Sequence, residues 1–329
     1  MSRSHVWLVL ISTLLLACAK KMLPPSPDRF PPHLTEVNPR TRVQVELLFD
    51  EPVAADKIPT ESLRLATRTG EAVTIRGLSQ GRSGDRILLW TEPLEKREYL
   101  LKGVASDPAG NIGRFVCRFS GSPRADTVPP RISGVQPTPG SAGLKRGVRI
   151  SVRFSEPVDT CAQVRWLFAP IGSETLFSRR WGIDWQELAF VRRDSLEPGS
   201  IFYFILEPGI PDLEGNRCRT PAWTYFAPDS SLDGVTVHGR ARWKAGPLGT
   251  GVVLFFRERT LAMAPVLSDG SWTTRVKAGE WTVQALADTN WDGIVDLAGY
   301  ETTFLTAGES LDIILHPDAS QKPLDAYLR

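Results

Sequence analysis

The densest chemistry in the chain is the run Asp288-Thr289-Asn290-Trp291-Asp292-Gly293-Ile294-Val295-Asp296. Calcium takes about six to eight oxygen ligands, and a D-x-N-x-D-G loop sets carboxylate and amide oxygens at alternate positions around a tight glycine turn. Asp288, Asn290 and Asp292 would bind through their side chains, Ile294 through its carbonyl, and Asp296 directly or through water. The twelfth position of a helix-flanked calcium loop requires Glu. Here it is Gly299, with Glu301 two residues late, and strands are expected on both sides. The segment therefore reads either as a structural calcium site or as a solvated Asx-rich turn between strands.

Other reactive groups are sparse. Gly77-Leu78-Ser79-Gln80-Gly81 satisfies G-x-S-x-G, but a nucleophile elbow needs a strand before it and a helix after it. A polar loop and the strand Arg86-Ile87-Leu88-Leu89-Trp90 follow instead, so no hydrolase is expected. His33, His238 and His316 stand alone in separate regions, and no HExxH, Walker loop, CxxC or dinucleotide glycine pattern occurs. Nothing in these residues favours an enzyme. Eight tryptophans follow residue 160. Most should fill cores, while Trp181 and Trp185, beside Arg179-Arg180 and Asp184, are the candidates for an exposed ligand platform. Cys117, Cys161 and Cys218 match no metal spacing. If one bridge forms it joins Cys161 to Cys218, which share a predicted domain; the alternative is three buried thiols.

These groups must be carried by strands. The chain holds 26 Pro and 27 Gly, and its apolar residues alternate rather than recur at helical spacing. Val43, Val45, Leu47 and Phe49 alternate with Gln44, Glu46 and Leu48. Val148, Ile150, Val152 and Phe154 alternate with Arg149, Ser151 and Arg153. Both runs end in Glu-Pro-Val (Glu51 to Val53, Glu156 to Val158). Both follow a Pro-Pro pair, Pro31-Pro32 or Pro129-Pro130, and both precede a D-x-x-G-N turn at Asp107–Asn111 or Asp212–Asn216. Matched landmarks in the same order make this an internal repeat, with a short insertion around Thr138 to Leu144 in the second copy. The pattern PPxI…P, FxEPV, DxxGN resembles the bacterial Ig-like domain first described in surface-layer proteins. The resemblance implies two sandwiches, over 30–121 and 128–227, that act as stalk or spacer modules without catalytic residues. Glu51 and Glu156 occupy equivalent places in different copies, so they are expected to be structural strand ends and not a paired acid site.

A third unit spans 234–317. Strands are expected at Val235–Ala241, Gly251–Phe256, Gly279–Ala285 and Leu311–Leu315, with a hairpin turn at Asp269-Gly270. This order resembles the transthyretin-like, carboxypeptidase-regulatory type of β-sandwich. The joints Ser120 to Val128 and Pro228 to Asp233 read as short linkers, and 318–329 as a flexible tail. The expected fold class is all-β: tandem Ig-like sandwiches plus a third small sandwich.

The amino terminus supplies an address. Arg3 precedes a predominantly apolar stretch of twelve residues, Val6 to Ala17. Roughly 20 would be needed to cross a bilayer, so the run reads as the core of an export signal over 1–17. Leu15-Leu16-Ala17-Cys18 resembles the lipobox of bacterial lipoproteins. That resemblance implies cleavage before Cys18 and acylation of its thiol and amino group; the alternative is an ordinary signal cut near Ala17. Residues 18–29, with Pro24-Pro25-Ser26-Pro27, make a proline-stiffened tether. Ala19 is not the Asp that, in the family's sorting rule, retains a lipoprotein at the inner membrane, so an outer-membrane or cell-surface address is allowed. Net charge is only +2 and the basic residues are scattered, which argues against a nucleic-acid partner. The expected protein is a non-enzymatic, lipid-anchored envelope scaffold that presents its last domain to an envelope protein or glycan. The alternative is a carbohydrate- or peptide-binding surface lipoprotein.

Overall fold

A computed structural model describes residues 28–328 except 145–147, 171–176, 193, 245–249, 258–259, 290–292, 319 and 321. Cys18, Asn290 and Asp292 lie outside the described residues. Among the described residues the regular structure is β-strand, and the helical pieces are short 3₁₀ turns. No described helix is long and apolar enough to cross a membrane.

The first module holds β1 (Leu34–Pro39), β2 (Gln44–Phe49), β3 (Arg64–Thr67), β4 (Ala72–Val73), β5 (Ile75–Gln80), β6 (Arg86–Thr91), β7 (Glu98–Ser106) and β8 (Ile112–Ser120). Its sheets run β1-β2-β6-β5 and β4-β3-β7-β8. The period of two in β2 places Val45, Leu47 and Phe49 in the core between the sheets, with Leu89, Tyr99 and Leu101. The second module repeats the plan with β9 (Ile132–Gln136), β10 (Arg149–Phe154), β11 (Trp166–Ala169), β12 (Phe177–Trp181), β13 (Glu187–Arg192), β14 (Phe202–Leu206) and β15 (Ala222–Phe226). Its sheets run β9-β10-β13-β12 and β11-β14-β15. The repeated order of two antiparallel sheets around one core makes both modules Ig-like sandwiches.

The third module contains β16 (Val235–Arg242), β17 (Thr250–Arg257), β18 (Thr260–Val266), β19 (Ser271–Val276), β20 (Gly279–Asp288), β21 (Leu297–Leu305), β22 (Ser310–Ile314) and β23 (His316–Pro317). A three-stranded sheet, β19-β16-β22, faces a five-stranded one, β18-β17-β20-β21-β23. Trp272 and Trp281 are buried between them, whereas Trp223 and Trp243 are only half-buried against the same core. The Asp269-Gly270 turn forms, with Gly270 at φ 80°, but it is not a hairpin. β18 pairs with β17 and β19 pairs with β16, so the turn carries the chain from one sheet to the other.

The second and third modules are packed together, and the end of the chain departs from the expected flexible tail. The stretch Pro228 to Asp233 carries no strand, as a short linker requires, but the modules that it joins share a core. Leu167, Ala169, Ile201, Tyr203 and Ile205 of the second module belong to the same buried cluster as the third module's core. All five residues of β14 are buried, because one face lines its own sandwich and the other meets the third module. The Tyr203 hydroxyl donates to the Arg275 carbonyl at 2.6 Å. The end of the chain is not a loose tail. Leu324–Leu328 form a 3₁₀ turn whose Leu324 and Tyr327 pack on the third core, and the Val295 amide donates to the Lys322 carbonyl.

Candidate functional site

Two clusters of three carboxyl groups are built identically in the repeat. Asp28, Glu51 and Asp107 offer oxygens that all lie within 4.8 Å of one another, and so do Asp126, Glu156 and Asp212. The first Asp of each set stands three residues ahead of the Pro-Pro pair, the Glu ends a core strand, and the second Asp opens the D-x-x-G-N turn. Asp107 Oδ1 accepts the Gly110 and Asn111 amides at 2.6 and 2.7 Å, and its Oδ2 accepts Asn111 Nδ2 at 2.7 Å. Asp212 does the same with the Asn216 amide and Nδ2, at 2.9 and 2.8 Å. The Asn amide then donates to the carbonyl of the lead-in Asp, Asp28 at 3.2 Å and Asp126 at 3.0 Å. Gly110 and Gly215 take φ of 97° and 93°, which side chains avoid. The signature is thus a clasp between each module's lead-in and its last turn.

Electrostatics mark Glu as the strained member. Burial, reinforced by Asp126 and Asp212, pushes the Glu156 carboxyl up to about 7. Burial, with Asp28, Asp107 and Asp50, also raises Glu51. Asp107 moves the other way: burial opposes its charge, but the hydrogen bonds from Asn111 and Gly110 outweigh it. Like charges this close are tolerated when one carboxyl keeps its proton or a cation neutralises the set. The all-oxygen donor set is of the kind that suits a hard cation. On the sequence alone, Glu51 and Glu156 read as structural strand ends at equivalent places in the two copies. The missed signal was the equal offset of Asp28 and Asp126 from their Pro-Pro pairs.

The joint between the first two modules is tightly made. Trp90 and Trp185 stack at 6.0 Å with planes 16° apart, flanked by Val43, Leu213 and Leu88. Gly77 permits the approach, since a Cβ there would lie 2.6 Å from the Trp185 ring. Trp185 holds φ 55°, the one positive value at a described non-glycine residue. Arg42 Nε donates to Glu214 Oε2 at 2.8 Å, and the Glu214 side chain is only 4% exposed. The Gln80 amide on the edge strand β5 donates to the Ile183 carbonyl at 2.9 Å. Beside this seam lies a cleft of about 590 Å³, lined by Arg40, Arg86 and their shared partner Glu46 from the first module and by Glu156, Asp212 and Glu214 from the second.

Several predicted site residues find other roles. Trp185 is not an open platform, because its ring is engaged at the joint. Trp181 is half-buried against Phe154, with centroids 6.3 Å apart. No Cys161–Cys218 bridge forms: Cys161 is exposed, whereas Cys218 is buried with its sulfur turned toward Thr220. Ser79 of the G-x-S-x-G match is fully buried in β5 and accepts the Trp90 indole N–H at 2.8 Å. In the acidic loop, Asp288 is buried, and its Oδ2 accepts the Gly293 amide at 2.7 Å. Asp296 Oδ2 accepts the Thr289 amide and hydroxyl, each at 2.7 Å. Gly293, at φ 91°, leaves room for the Arg165 guanidinium of the second module, which a Cβ would strike. Ile294 bridges to Pro323 of the folded-back terminus.

No protein-family model matches the chain. An outer cell wall protein of Brevibacillus brevis is 28% identical over 137 residues, which cover 40% of this chain and 13% of that protein. The chain thus spans a small fraction of the relative's length. Among solved structures, the N-terminal part of the bacterial S-layer protein SbsC is 11% identical with a TM-score of 0.27, over 60% of this chain and 44% of that one. Domains A168-A170 of titin are 12% identical with a TM-score of 0.24, over 87% of this chain and 98% of that one.

Proposed function

We propose that this chain is a non-enzymatic scaffold of the cell envelope, anchored by lipid at Cys18 and built to hold its third β-sandwich away from the membrane. The observation that carries this reading is the pair of module contacts. A tryptophan stack and the pairing of half-exposed Arg42 with the buried Glu214 carboxylate join the first two modules, and a shared core joins the second to the third. Such contacts suit a stiff spacer. The similarity to an outer cell wall protein supports an envelope address. A structural calcium ion held by Asp288, Asn290, Asp292, Ile294 and Asp296 belongs to the same proposal. It is supported by the buried Asp288 carboxylate at the glycine turn.

The anchor is tested in a bacterium that processes lipoproteins. Wild-type chain should take up labelled palmitate and sediment with membranes, while Cys18→Ser should lose the label and leave the membrane fraction. Equal sedimentation of the two would remove the lipid anchor from this account.

A further inference from the structure

The third module exposes a sheet edge that the other modules protect. β21 pairs with β20 along its whole length, from Leu297 opposite Ala287 to Leu305 opposite Gly279. On its other side β23 covers only Leu297 and Ala298. Among the described residues, nothing pairs with the main chain of Tyr300–Leu305 on that side. An open edge is a row of unsatisfied N–H and C=O groups, and proteins usually blunt it with charge, proline or a bulge. The long edge β8 carries Arg114 and Arg118, and β12 carries Arg179 and Arg180. Tyr300-Glu301-Thr302-Thr303-Phe304-Leu305 has no cation, proline or glycine and is rich in strand-forming side chains. Tyr300 and Phe304 lie on one face, 66% and 64% exposed, and Gln284 holds the Tyr300 hydroxyl at 2.7 Å.

We propose that Tyr300–Leu305 is a strand-addition site for an extended segment of another protein, with alternating apolar and basic residues. Main-chain pairing would give affinity, and side chains at alternate positions would give selectivity. Apolar residues of the guest lie over Tyr300 and Phe304, and Lys or Arg on the opposite face meets Glu301. Glu301 is exposed and joins no ion pair among the described residues. A second copy fits less well, since two such edges would bring acidic residues together, and like charges on neighbouring strands repel. This inference rests on the reading of the third module as the presented part.

The test uses the full mature chain with Cys18→Ser, so that its outcome is independent of the lipid anchor. The probe is a capped twelve-residue peptide of alternating Val and Lys, with a Val–Glu peptide for comparison. Titration should show saturable binding of the Val–Lys peptide, at least tenfold tighter than the Val–Glu peptide. Hydrogen exchange should slow at 300–305. Phe304→Ala and Glu301→Lys should each weaken binding about tenfold, whereas Val116→Lys on β8 should leave it unchanged. Both variants change exposed side chains, and circular dichroism establishes that they fold. No saturable binding, equal binding by the edge variants, or protection at β8 instead of β21 overturns the proposal. A concentration-dependent dimer lost in Phe304→Ala would make a second copy the occupant and overturn it likewise.

Discussion

Glu156 keeps its proton up to about pH 7 because it is partly buried and faces Asp126 and Asp212. Its folded-state value lies above the ordinary 4.5, so the folded state binds the proton more strongly than the unfolded state does. The stability this confers is complete at pH 4.5 and below, and is lost as pH rises through about 7. Thermal melts should therefore fall between pH 5 and pH 8, and Glu156→Gln should flatten that slope while raising the pH 8 midpoint. Identical slopes in the two proteins would refute the assignment. Glu156 and Asp212, and their repetition at Glu51 and Asp107, were legible in the sequence, whereas the matching of Asp126 with Asp28 was missed. The convergence was not legible, because Asp126, Glu156 and Asp212 come from a lead-in, a strand end and a turn that meet only when the sheets close.

Among elements, the β20–β21 loop is where the local code is most explicit. Gly293 makes the turn at φ 91° and Asp288 Oδ2 accepts its amide, as an Asx-rich loop requires. Calcium should raise the midpoint of the wild-type melt, and a chelator should reverse it. A ligand at a hundredfold its dissociation constant adds about 2.7 kcal/mol. Asp288→Ala should abolish the response and cost about 1 kcal/mol even without calcium, through the lost hydrogen bond. A wild-type melt indifferent to calcium would remove the ion. Alternation identified β2 and β10, because side chains on a strand face opposite sides in turn, but it did not bound β21 beyond this loop. It missed where Asp269-Gly270 leads, since a turn fixes local direction but not which sheet receives the next strand.

At the scale of the whole molecule, the joint between the first two modules carries the stalk. Trp185→Ala would remove the stack on Trp90. The expected loss is about 2 kcal/mol, less than the roughly 3–5 of a fully buried tryptophan, because Trp185 is half-buried. Small-angle scattering should then show a larger radius of gyration and a broader distribution of shapes. An unchanged curve would mean that the Arg42–Glu214 pair and the Gln80–Ile183 strand contact suffice.

The sequence by itself determined the all-β class, the core strands β2 and β10 and the repeat, since alternation, proline stops and glycine turns act over a few residues. Only the tertiary structure decided that Trp185 closes a joint, that Cys161 and Cys218 stay apart, that the third module shares a core with the second, and that the β21 edge stays open. Each of these depends on residues far apart in the chain, and their meeting is set by how whole sheets pack.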